Sequence, residues 1–216
     1  MAEHAVKALA GFDDAEAVLA RGRSLGLMGG VDFRLGNYER SVTESEESIR
    51  ILAAVRPHIA YAHSYVYLGA GRFGLGQFEQ ACADFETAVE AYDEVNSQWG
   101  QTVCLGNLAE ARLMLGDYDA AQSYAKRAYH IASQLNNAEQ MGGALISLAK
   151  VALQEKRFED ATEYGRRALD LFRQNRHEAH FVYALALLGS ASQQRGQRYF
   201  ALRFFCVCVV MMSLGC

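Results

Sequence analysis

The chain has 216 residues, of which 51% are apolar and only one is proline, so it can bury a sizeable core and is not a loop-rich or disordered polypeptide. Its 21 Lys and Arg against 25 Asp and Glu leave a net charge of −4, and the basic residues are dispersed, which excludes the basic stripe of a nucleic-acid reader. The first residues lack the basic-then-apolar order of a secretory signal, and the five cysteines (Cys82, Cys104, Cys206, Cys208 and Cys216) follow no disulfide spacing, so small buried thiols in a reducing, cytoplasmic setting are expected.

In chain order, residues 1–12 read as a partial helix or N-terminal cap. Ala8 and Phe12 stand forty residues before Ser48 and Leu52, as the tail of a second helix would. Two accounts stay open for this segment, a short cap or a piece of a longer array. From residue 13 onward the chain is organised by one phrase that recurs every forty residues: Leu35-Gly36-Asn37-Tyr38, Leu75-Gly76-Gln77-Phe78 and Leu115-Gly116-Asp117-Tyr118. Degraded copies follow at Glu155-Lys156-Arg157-Phe158 and at Arg195-Gly196-Gln197-Arg198. Small residues keep step with it at Ser41, Ala81, Ala121 and Ala161, and again at Ser48, Ala88, Ala128 and Ala168. Small residues at helical spacing let two backbones approach, and the glycine of the phrase suits a tight turn between them.

The periodicity predicts five antiparallel helix pairs over roughly 14–53, 58–94, 98–134, 138–174 and 178–213. Asn96-Ser97, Asn136-Asn137 and Asn175 read as caps before the next helix, and Pro57 as a first-turn proline. Gly26, Gly29 and Gly30 are expected to weaken the first helix, by about 1 kcal/mol each relative to alanine. No stretch alternates with period two, so no sheet is expected.

The string Gly-x-aromatic-x-x-Ala, with a second Ala seven residues on and Leu-Ala or Leu-Gly upstream, resembles a tetratricopeptide repeat. Gly116, Tyr118, Ala121 and Ala128, with Leu105, Leu108 and Ala109, carry it most fully. The resemblance covers nearly the whole chain and implies an all-α fold, a right-handed superhelical solenoid of about five antiparallel helix pairs. Two departures stand out: the period is forty rather than thirty-four, as in the longer repeats of signalling adaptors and bacterial peptide sensors, and the usual first-helix tryptophan and terminal proline are missing.

In that family the first helices line a groove that holds a partner peptide. The resemblance therefore implies Arg23, Phe33, Arg34, His63, Val66, Phe73, Asn107, Glu110, Lys150 and Tyr183 as groove candidates, with Phe33, Phe73 and Tyr183 as aromatic anchors. The Lys and Asn clamp that some members use for a terminal carboxylate is absent, because Gly26, Gly30, Val66 and Ala70 stand in its places. An apolar peptide or amphipathic helix is the expected ligand. Apolar periodicity alone leaves open whether Phe33, Phe73 and Leu113 belong to the groove or to the core.

Other chemistry is sparse. His177-Glu178-Ala179-His180 is one residue short of a zinc-type motif and lacks a third ligand, and Cys206-Val207-Cys208 puts two thiols on different helix faces. No catalytic residue, cofactor or metal is expected. The segment Phe204–Cys216 is apolar all round yet shorter than a membrane span, which points to cover by a partner or by further repeats. The expected function is a non-catalytic scaffold or adaptor that binds a protein or peptide. The alternative is a peptide- or ligand-sensing regulatory array within a larger signalling or transcription-regulating protein.

Overall fold

The computed structural model describes residues 15–175 and 178–197, together with Ala201, Leu202, Phe204 and Cys206. The chain divides into two compact units, Met1–Leu115 and Gly116–Cys216. The first holds α1 (Ala15–Arg34), α2 (Tyr38–Leu52) with a 3-10 turn at Ala53–Val55, α3 (Ile59–Gly74), α4 (Phe78–Glu94) and α5 (Gln98–Met114). The second holds α6 (Tyr118–Gln134), α7 (Ala138–Gln154), α8 (Phe158–Gln174) and α9 (Glu178–Gln194). The described residues form no strand, and within each unit consecutive helices pack on one another. This is the all-α, helix-pair fold that the repeat predicts. The expected cap over residues 1–12 and most of the apolar segment after Phe204 lie outside the described residues.

The helices are regular because their ends are. Gly36, Gly76, Gly116 and Gly196 carry φ between 75° and 80°, the left-handed conformation that glycine adopts without a Cβ penalty. Gly76 N–H donates to the Phe73 carbonyl and Gln77 N–H to that of Arg72, a Schellman termination. The turns between pairs use the same geometry with asparagine. Asn96 and Asn136 have φ of 51°, and Asn137 N–H closes on the Ala132 carbonyl at 2.9 Å. A left-handed residue thus ends a helix at 76, 96, 116, 136 and 156, so the backbone repeats every twenty residues while the sequence phrase repeats every forty.

Two cap expectations are corrected. Pro57 precedes α3 rather than sitting in its first turn, and His58 is the cap, its Nδ1 accepting the Ala60 N–H at 3.0 Å. Asn175 closes α8 instead of opening α9, its side-chain amide donating to the Leu171 carbonyl at 2.8 Å. Ser97, Asn137 and also Asp117 cap as N-cap residues do, accepting from Gly100, Gln140 and Ala120.

Packing follows a small-against-large rule. In the first unit Leu52, Tyr61 and Tyr92 are buried in one cluster with Ala60, Ala62, Ala88 and Ala91, and Phe85, Leu105 and Leu108 are buried as well. Glycines stand where even a methyl would collide. A Cβ on Gly22 would fall 2.5 Å from Leu52, and one on Gly30 would fall 2.7 Å from the Tyr67 ring. Counting only helix propensity therefore misreads α1: its glycines let α2 and α3 close on it. In the second unit Phe172 fills the space left by Gly142, and Leu188 that left by Gly165.

The weak copy of the phrase gives a test. Lys156 occupies the left-handed position, φ 59°, that glycine fills elsewhere, at a backbone cost of roughly 1–2 kcal/mol. Lys156→Gly is expected to raise the unfolding free energy by about 1 kcal/mol in urea titration, and an unchanged midpoint would contradict this reading of the turn.

Candidate functional site

Six of the ten groove candidates come together in the first unit. Phe33 and Arg34 at the end of α1, Val66 and Phe73 on α3, and Asn107 and Glu110 on α5 line a cavity of about 310 Å³. Tyr67, Ala70 and the buried Phe85 of α4 complete its wall. Forty-residue register explains the gathering: Phe33 and Phe73 occupy one repeat position, as do Ala70 and Glu110 on a neighbouring turn.

The aromatic wall is held from both sides. Phe33 lies 5.9 Å from Tyr38 and Phe73 meets Phe78 edge-on at 5.2 Å, so each ring packs on the aromatic residue of its own turn phrase while also facing the cavity. Both are half-buried. The choice between groove and core left open by the periodicity thus has no single answer at Phe33 and Phe73. Phe85 reaches the cavity because α3 has no side chain at Gly69, where a Cβ would fall 2.7 Å from the ring.

The remaining candidates lie elsewhere. Arg23 and His63 sit ten residues earlier on α1 and α3, outside the cavity lining. Burial first, and then Arg23 and His58, lower the His63 pKa, and its ring stands edge-on to Tyr92. Lys150 and Tyr183 belong to the second unit, where the ammonium lies 5.4 Å from the ring centroid. His180, from the incomplete zinc-type motif, stacks on Phe172, and His177 lies outside the described residues. Among the described residues no group of three His, Cys, Asp or Glu is close enough to hold a metal, and no helix is long and apolar enough to cross a membrane.

The tetratricopeptide repeat model matches residues 61–134 and 104–174, more than half of the chain. The chain belongs to the tetratricopeptide repeat family. No curated protein matches it by sequence. Among solved structures it is similar to BtubC (BKLC) from P. vanneervenii, at 17% identity over 99% of this chain and 89% of that one, with a TM-score of 0.81. It is also similar to aspartyl phosphate phosphatase F from Bacillus subtilis, at 18% identity over 94% of this chain and 53% of that one, TM-score 0.80. A third similar structure is the Rap conjugation gene regulator of the plasmid pLS20 in complex with the Phr* peptide, at 16% identity over 91% of this chain and 55% of that one, TM-score 0.72. At these identities the likeness is one of fold.

Behind the cavity wall, the repeats of this family member are tied by charge. Arg72 on α3 donates from Nη1 to both Asp84 carboxylate oxygens, at 2.8 and 2.9 Å, and from Nη2 to Glu46 of α2 at 2.7 Å. Arg112 donates to Glu86 at 3.0 Å, the same link one repeat later. Composition alone gave no sign of this network, although the equal separation of Glu46–Arg72 and Glu86–Arg112 is readable once the register is known.

Burial pushes the Asp84 carboxyl up to about 6, against the lowering pull of Arg72. A raised folded-state pKa means that the folded protein holds more protons than the unfolded chain between about pH 4 and 6. Stability from this group is fully present below the unfolded pKa and is lost as pH rises through 6. The unfolding free energy of the parent relative to Asp84→Asn is expected to fall by on the order of 2 kcal/mol between pH 4 and 7. A difference that stays flat, or that rises with pH, would refute the assignment.

Proposed function

We propose that the chain is a non-catalytic interaction module that holds an apolar segment of a partner protein against α1, α3 and α5. The observation that carries this reading is the cavity itself: a mostly apolar pocket, walled by three successive first helices, with Asn107, Glu110 and Arg34 supplying the few polar groups. Pockets of this composition bind through a large apolar anchor and use their polar groups to orient the ligand. The family supports the same reading, since its first helices form the peptide-binding side.

A second reading is a peptide-sensing regulatory array. It is favoured by the similarity to a gene regulator solved with a bound peptide, of which this chain spans 55%. Both readings use the same cavity. They separate on whether ligand binding changes the activity of an attached or associated output protein.

The test is a photo-crosslinking amino acid placed at Ala70, with Gln80 on the exposed side of α4 as control. Crosslinks from position 70 are expected to map to one apolar segment of a partner. Phe73→Ala should lower their yield at least tenfold while circular dichroism keeps its helical amplitude, as expected when an aromatic anchor worth roughly 2 kcal/mol is lost. Equal crosslinking in the parent and the variant would remove the groove assignment.

A further inference from the structure

One side of α1 holds an apolar stripe in water. Leu27, Val31 and Leu35 stand one helical turn apart and are 59%, 54% and 70% exposed. Leu35 follows the last residue of α1, yet its N–H donates to the Val31 carbonyl at 3.1 Å, which keeps it in register. None of the three lines the cavity.

The same face of the later first helices is covered. The forty-residue counterparts of Val31 are Gly71, Ala111, Val151 and Ala191, and all four are buried. Gly71 shows what covers them. A Cβ there would fall 3.0 Å from Val42 and 3.3 Å from the Tyr38 carbonyl, both on α2, the second helix of the preceding pair. The α1 stripe is therefore a helix-packing face, in register with interfaces the chain already makes, with no helix on it among the described residues. Nor does the chain reverse just before it. α1 is helical at Glu16, the counterpart of the left-handed Asn96 and Asn136 that turn the later junctions.

A terminal repeat is kept in solution by a polar outer face. This face is the opposite. Among the five first helices only α1 has a branched aliphatic side chain at all three positions, since Tyr67 on α3, Asn107 on α5, Ser147 on α7 and Arg195 on α9 each break the pattern. Arg23 and Arg34, both exposed, stand at the rim of the stripe and not within it.

We infer that the α1 stripe is a contact between two copies of this chain, with Val31 at its centre. A purely aliphatic face offers a foreign partner no charge or hydrogen bond to read, but it complements itself. Pairing of one patch with its own copy about a two-fold axis is the commonest way to close such a face. Three side chains from each copy bury less than the roughly 1,200 Å² of a standard interface, so the dimer is weak and forms in the micromolar range. The arginine rims of the two copies repel, so added salt tightens the contact.

Sedimentation velocity of the full chain over a wide concentration range reads this equilibrium. A reversible monomer and dimer are expected, with Val31→Glu weakening association at least tenfold and Glu90→Lys, on the exposed side of α4, leaving it unchanged. Residue 31 is largely in water, so the fold of Val31→Glu is checked by an unchanged melting temperature at low concentration. In a chain whose Cys206, Cys208 and Cys216 are changed to serine, Val31→Cys is expected to join two copies through a disulfide under mild oxidant, and Glu90→Cys is not. A monomer at every concentration, a dimer indifferent to Val31→Glu, or a dimer dissolved by salt would each overturn the inference. So would a monomer that dimerises only once residues 1–12 are removed, because that segment would then be the cover.

Discussion

The helices of this chain must end on time, and at seven ends among the described residues a left-handed residue makes them do so. Gly36, Gly76, Asn96, Gly116, Asn136, Lys156 and Gly196 each reverse the chain within a few residues. The bonds that close the turn satisfy carbonyls that would otherwise be left open at the helix end. Because the reversal recurs every twenty residues, α4 through α9 are all seventeen residues long. Equal helices in equal register bring the same repeat positions alongside one another, and the cavity depends on that alignment. Phe33, Phe73 and the Ala70–Glu110 pair meet because they are one forty-residue step apart. A turn one residue longer would rotate each following helix by about 100° and scatter them.

Side-chain size then decides how closely the aligned helices approach. Glycine at 22, 26, 29 and 30 draws α1 onto α2 and α3. The alternation is different at α5, where Gly106 is small with nothing filling the space. The first unit thus uses missing side chains at α1 to close a contact, whereas no neighbour fills the space at Gly106. Charge reinforces the register from behind: Arg72 joins α2, α3 and α4 through Glu46 and Asp84, and Arg112 repeats part of the link to Glu86. These pairs are partly exposed except at Asp84, so they fix the order of neighbours more than they add stability.

Much of this was legible in the sequence. The phrase and its small residues pointed to an all-α fold of packed helices, which the structure has. The shorter backbone period was hidden because Asn96 and Asn136 do the work of glycine with a different letter. The caps at Pro57 and Asn175 were misplaced for a related reason: a polar residue at a junction can close the helix before it or open the helix after it, and only the hydrogen bond decides. At the candidate site, the family resemblance brought Phe33, Arg34, Val66, Phe73, Asn107 and Glu110 forward as groove candidates, and these six line the cavity. It missed Tyr67 and Phe85, which belong to neighbouring faces and reach the cavity only through Gly30 and Gly69.

The proposed role places a partner on the face of α1, α3 and α5 and on no outer helix face. Carbene footprinting of the chain with and without its crosslinked partner measures this most directly. Labelling is expected to drop at Val66, Ala70, Phe73 and Asn107 while the exposed residues of α2 and α4, such as Glu39 and Gln80, stay labelled. Protection confined to α2 and α4, with the cavity residues still open to the reagent, would contradict it.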